Sequence, residues 1–240
     1  MANLTTVTRG CWLVVLAAVL SASSPSISAD SAALTVSATF YKASNQVDLG
    51  RWIVVAGGTT TEPLKGVNPD FEIRVLDVFG RTLVSHRARL RFVILAEPGG
   101  PIPVDRTILN VAVPFPENAA WVELVREGTV VARVSPLSKV LRDSVGIVPD
   151  QGLPDPARRK ALLDVVEAFD RLLADAAYAD ALDKIRAIRK DAGSWIVDGY
   201  HPTPGKLELT KGELLLTIDI LIERLSNVVR DRAAGQAAHG

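Results

Sequence analysis

The fold turns on AWVELVREGTVVARV, residues 120–134. Two runs rich in Val, Leu and Ala flank Arg126-Glu127-Gly128, and such runs around a short Gly-ended turn predict a β-hairpin. A three-residue loop built on a type I turn needs a left-handed third residue, a conformation Gly128 adopts without steric cost. That loop sets Val125 against Thr129, Leu124 against Val130, Val122 against Ala132 and Trp121 against Arg133. Val122, Leu124, Val130, Ala132 and Val134 then share one apolar face, and Trp121, Glu123 and Arg133 share the other.

Outward from this hairpin the same period extends over residues 33–147. LTVSATFY (34–41), RWIVVA (51–56), FEIRVLDV (71–78), RTLVSHRARLRFVIL (81–95) and RTILNVAV (106–113) are rich in Val, Ile, Leu and Thr. Gly, Pro, Asn and Asp separate them, and a second Gly-ended turn, VFG (78–80), joins two of them. Short strands at regular spacing with no helical period between them predict an antiparallel β-sandwich over residues 30–147. Trp52, with apolar residues on both faces of its run, reads as core.

After Ile147 the composition shifts. VPDQGLPDP (148–156) holds three prolines and a glycine and reads as a linker. Asp155 is placed as an N-cap, with Pro156 at the first helical position. Ala161, Leu162, Val165, Val166, Phe169, Leu172 and Leu173 then recur at spacings of three and four. Tyr178, Ala181, Leu182, Ile185 and Ile188 repeat the pattern. Thr210-Lys211-Gly212-Glu213 has the form of a capping box and opens a third stripe through Leu214, Ile218, Leu221, Leu225 and Val229. Three stripes that bury against one another predict a small three-helix bundle over residues 157–232, followed by a disordered tail at 233–240. The expected fold class is thus an α+β multidomain protein, β-sandwich first and three-helix bundle second.

The N-terminus reads differently again. Arg9 is the only charged residue of MANLTTVTRG, and the twelve residues CWLVVLAAVLSA that follow carry no charge. A small, polar stretch then ends at Ala29. This is the pattern of a secretory signal peptide over residues 1–29, and the apolar run is short of the roughly 20 residues a spanning helix needs. An uncleaved anchor is the alternative. Cys11, the only cysteine, lies inside that leader, so the exported chain lacks disulfides, thiol nucleophiles and thiolate metal sites. Without Arg9 the basic residues number one fewer than the 27 acidic ones, which is not the basic excess of a nucleic-acid binder. A secreted or periplasmic location follows, with no stable membrane span after cleavage.

Two segments carry a resemblance. LDVFGRTL, followed by VPFPENAAWVELVREGTVVARVSP, resembles the closing part of immunoglobulin-like domains in secreted bacterial proteins. The shared features are two Gly hairpins, a Pro-x-Pro before a strand, and a closing Ser-Pro. YADALDKIRAIRKDAGSWI with LTKGELLLTIDILIERL is similar to the FIMAH-type helical domains attached to extracellular bacterial proteins. The resemblance implies an accessory, non-catalytic extracellular module and names no ligand.

The chemistry-bearing residues agree with that direction. There is no Gly-x-Ser-x-Gly elbow and no His-Glu-x-x-His, and the three histidines (His86, His201, His239) are scattered along the chain. No cofactor and no metal are expected. A hydrolase using a carboxylate pair remains a rival reading, because 27 acidic residues offer many chance pairs. Three binding candidates stand out. In SHRARLRF (85–92), Arg87, Arg89 and Arg91 alternate with Ala88, Leu90 and Phe92; on a strand they would span about 13 Å of one face. That strip is either the solvated side of a sheet or a grip for an anionic polymer. Trp121 beside Arg133 is either covered by the helical half or free to stack on a sugar ring. The loop at 197–209 is long for a helix connection and gathers Asp198, Tyr200 and His201. The expected function is therefore binding at the cell envelope or matrix, with an envelope protein or a polysaccharide as partner and no nucleic acid. The alternative is a carbohydrate or anionic-polymer module using Trp121 with the arginine strip.

Overall fold

The computed structural model of the chain describes residues 32–63, 70–96 and 100–237. Residues 1–29, for which a signal peptide is expected, lie outside them. The described residues form a mixed α+β fold with antiparallel sheets and four helices. Its strands are β1 (Ala33–Tyr41), β2 (Val47–Leu49), β3 (Ile53–Val55), β4 (Phe71–Leu76), β5 (Thr82–Ala88), β6 (Val93–Ala96), β7 (Gly100–Pro103), β8 (Arg106–Pro114), β9 (Trp121–Arg126) and β10 (Thr129–Val134). The helices are α1 (Pro136–Gly146), α2 (Pro156–Ala174), α3 (Tyr178–Trp195) and α4 (Lys211–Ala237).

In the first sheet β8 pairs along the whole of β1, while β2 and β3 pair with opposite ends of its other side. The second sheet runs β10-β9-β4-β5, and β6 and β7 form a separate two-stranded hairpin. Leu34, Val36, Ala38 and Phe40 alternate inward along β1, and Phe71, Ile73 and Val75 do so along β4, all buried. Phe40 and Phe71 meet edge-on with ring centroids 4.8 Å apart. Trp52 is fully buried and donates from its indole to the Ser37 carbonyl at 3.0 Å.

The hairpin at 126–128 differs from the expected one. Arg126 pairs with Thr129, leaving the two-residue turn Glu127-Gly128, with φ of 49° and 82°. Both central residues of a type I′ turn are left-handed, and here Glu127 takes that conformation as well as Gly128. A bulge between Val130 and Ala132 then restores the inward set, so that Glu123, not Trp121, faces Arg133. Val130 is consequently exposed. At VFG the expected three-residue loop is present: the Asp77 N–H donates to the Arg81 carbonyl at 3.0 Å, and Gly80 has φ of 82°. The buried Asp77 carboxylate holds this turn by accepting from the Phe79 and Arg81 amides and from Arg81 Nε at 2.6 Å.

The helix count also departs from expectation: four helices stand where three were expected. The additional one is α1, in which Leu137, Val140, Leu141, Ser144 and Val145 turn inward at helical spacing. Pro136 takes the first helical position, which suits a residue without an N–H. Ser135-Pro136, which in the sequence closes the strand region, is thus a helix start. The other starts match their signals. Asp155 Oδ1 accepts from the Ala157 amide at 2.9 Å, and the Thr210–Glu213 box closes in both directions, at 2.8 and 3.2 Å.

Helix α1 packs against α2, α4 and β3. Asp143 of α1 accepts from the Trp52 amide at 2.7 Å, and Lys139 donates to the Gly50 carbonyl at 2.7 Å. Midway along α4 the fully buried Arg224 lies over the Phe115 ring, 5.5 Å from its centroid, and two turns on Asp231 accepts from Asn118. Residues 148–156 pack as well: Val148 and Leu153 are buried. Among the described residues no helix is long and apolar enough to cross a membrane.

Candidate functional site

Strand β10 ends at Val134, and Ser135-Pro136 turn the chain directly into α1. The first turns of α1 therefore rise beside the start of β9, where Trp121 is half-buried. Between them and α2 lies a cleft of about 380 Å³, bordered by Trp121, Arg133, Lys139, Arg142 and Asp170. The Arg133 guanidinium covers the indole at 5.0 Å from the ring centroid. It also stands 3.8 Å from a carboxylate oxygen of Glu123, its cross-strand neighbour.

From the helical side, Arg142 pairs with Asp170 of α2 at 3.3 Å, and Lys139 is held by Asp143 one turn on. The border thus carries three cations and one carboxylate. Ser135 occupies the N-cap position of α1 without a side-chain cap hydrogen bond, so the positive end of that helix adds to the field. An aromatic face under a guanidinium, with further cations along the wall, suits a planar or ring-shaped ligand bearing negative charge.

The remaining candidates do not join this cleft. Arg87 lies on β5 and Arg133 on β10, the opposite edges of the second sheet. Three strand spacings, about 14 Å, separate them, so Trp121 and the arginine strip are two places. The strip itself is shorter as a strand than expected: β5 ends at Ala88, and a connection precedes β6. Arg87, Arg89 and Arg91 are nevertheless all exposed, while Leu90 between them is buried. Arg87 lies opposite Glu72. The Glu72 carboxyl is held below the usual carboxylate range, chiefly by its hydrogen bond from Arg74, with Arg87 a smaller contributor.

The loop residues are placed structurally. Tyr200 donates to the Leu209 carbonyl at 2.6 Å, and burial, with the charges of Glu213 and Glu208, pushes its hydroxyl up to about 12. Asp198 pairs with Lys211 at 3.0 Å, and His201 is exposed. The three do not converge. Among the described residues no group of three or more His, Cys, Asp or Glu is disposed to hold a metal ion.

Lys139, Arg142 and Asp170 escape a sequence reading. Lys139 and Arg142 share a helix side by their spacing of three, but that signal exists only once α1 is recognised as a helix. No family model, no curated protein and no solved structure matches the chain.

Proposed function

We propose that this chain is an exported, non-catalytic binding module of the cell envelope. It takes an acidic saccharide in the cleft between the β9–β10 hairpin and helices α1 and α2. The observation that carries the reading is Trp121, half-buried under Arg133 in a cleft bordered also by Lys139 and Arg142. A sugar ring presents C–H groups to an aromatic face, and its carboxylate or phosphate meets guanidinium forks. Export is supported by the charge and apolar pattern of residues 1–29.

We infer further that the two sheets form an immunoglobulin-like sandwich carrying a FIMAH-like helical unit. The Phe40–Phe71 contact and the shared core of both sheets support the first part. The stripes of α2, α3 and α4 support the second, with α1 as an added helix.

Tryptophan fluorescence titration with uronic-acid oligosaccharides and with neutral ones tests the site. Acidic oligosaccharides should perturb the emission, and Trp121→Ala should weaken binding about tenfold, the scale of one aromatic contact with its cation–π partner. Arg142→Gln should weaken the acidic ligand while leaving any neutral one unchanged. A glycan array without binding, or equal affinity in the Trp121→Ala variant, overturns the assignment.

A further inference from the structure

Strand β3 is held on one edge only. It pairs with β1, and no other strand among the described residues joins it. The chain that follows crosses to the opposite edge of the sheet, where the Thr61 amide donates to the Ala112 carbonyl of β8 at 2.7 Å. Residues 56–61 therefore turn away from the outer edge of β3.

Along that edge runs a groove of about 370 Å³, bordered across from β3 by α4 and by residues 207–209. Ile53, Val54, Val55 and Ala56 all line it. Side chains of consecutive strand residues point to opposite faces, so a groove that touches four in a row follows the edge of the strand. Its rim is apolar and meets solvent: Val55, Leu207 and Leu216 are 44%, 48% and 45% exposed. The wall at 207–209 is fixed, since the Leu209 amide donates to the Ile147 carbonyl and the Leu209 carbonyl accepts from Tyr200.

The polar groups of the groove select the occupant. Ser144 of α1 also lines it, and its buried Oγ has no hydrogen-bond partner. An acyl chain would cover the apolar rim but leave the strand edge and this hydroxyl unsatisfied. An extended peptide offers side chains to the rim and amides and carbonyls to the edge, as in recognition by strand addition. The charged residues of the groove are Glu208 and Glu213. They accept from the Thr203 and Thr210 amides at 2.7 and 2.8 Å, and neither is in a salt bridge among the described residues. After burial, these two carboxylates push the Tyr200 hydroxyl up to about 12, Glu213 more than Glu208, so both act on one place. Lys206 opposes them only as a minor influence on Glu208. A basic side chain on the peptide complements this pair.

We propose that the groove between β3 and α4 takes an extended peptide of alternating apolar and basic residues, which adds a strand to the free edge of β3. The groove is separate from the Trp121 cleft and does not depend on what that cleft binds.

The test is fluorescence anisotropy of a labelled, acetylated and amidated peptide that alternates valine with lysine, titrated with the chain without residues 1–29. Saturable binding is expected, together with slower hydrogen exchange at the β3 amides. A version with glutamate in place of lysine should bind about tenfold more weakly. A version N-methylated at alternate residues should lose binding, because it can no longer donate to a strand edge. Leu216→Asn should weaken the lysine peptide roughly fivefold. Glu208→Gln and Glu213→Gln should each weaken it about threefold, and Gln at 213 keeps the capping box. These positions lie at the surface of the groove, and unchanged far-ultraviolet circular dichroism verifies the fold. Absence of binding to the parent chain overturns the proposal, as does an N-methylated peptide that binds equally well. A long-chain fatty acid that binds where neither peptide does would also overturn it. So would dimerisation abolished by Leu216→Asn in a chain that takes no peptide.

Discussion

His86 occupies the buried face of β5 beside Ile73, with 3% of its surface exposed, and burial lowers its pKa below the ordinary imidazole value. The unfolded chain takes up a proton near pH ~6.5 that the folded chain refuses. Stability from the neutral ring is therefore complete above the unfolded pKa. It is lost as pH falls below that value towards the folded pKa. The thermal stability of the parent should fall between about pH 7.5 and about pH 5.5, a window above carboxylate titration. His86→Leu should flatten that slope. Equal slopes in the two proteins would mean that the imidazole titrates freely in the fold. Within SHRARLRF the inward His86 is as informative as the arginines beside it, because it shows which side of the alternation meets the core.

Helix α2 ends in a six-to-one, five-to-two pattern. The Ala177 amide donates to the Leu172 carbonyl at 2.8 Å, and the Ala176 amide to the Leu173 carbonyl at 3.1 Å. This is the Schellman arrangement, and Ala176, at φ of 57°, occupies the left-handed position that glycine favours. Ala176→Gly should raise stability by about 1 kcal/mol, measured by urea unfolding, because the steric cost of Cβ in that region disappears. A loss of stability would show that the Ala176 methyl contributes packing that outweighs its strain. Elements whose signals are local were legible in this way. The Asp155 cap, the Thr210–Glu213 box and the Gly80 turn each depend on residues a few positions apart, and each lies where the sequence puts it. The 126–129 turn did not follow its composition. Its register is set by which side chains of β10 can reach the sheet interior, and a bulge absorbs the residue that the shorter loop displaces.

At the scale of the molecule, packing crosses the composition change at residue 148. The Val197 amide donates to the Gly152 carbonyl at 3.0 Å, and the Leu209 amide to the Ile147 carbonyl at 3.3 Å. Gly152 is overlain by Tyr200, whose ring would lie 2.5 Å from a Cβ placed there. Gly152→Ala should cost about 1–3 kcal/mol, the usual range for forcing extra volume into a packed site. The wider expectation is one calorimetric transition for the chain without residues 1–29, shifted as a whole by Gly152→Ala. Two separable transitions, with only the second moved, would show halves that unfold independently.

The sequence by itself determined the periods: alternation through residues 33–134, spacing of three and four from 156 onward, and the caps and turns that punctuate them. Backbone geometry and solvent act on near neighbours, so these features are written where they act. Only the tertiary structure decided that Ser135-Pro136 begin a helix seated against β3. The same packing brings Arg133, Lys139 and Arg142 around Trp121, and strand order sends the other arginines to the far edge of their sheet. Strand order and helix docking depend on which apolar faces exclude water together, a property of the assembled core that no local window of the chain contains.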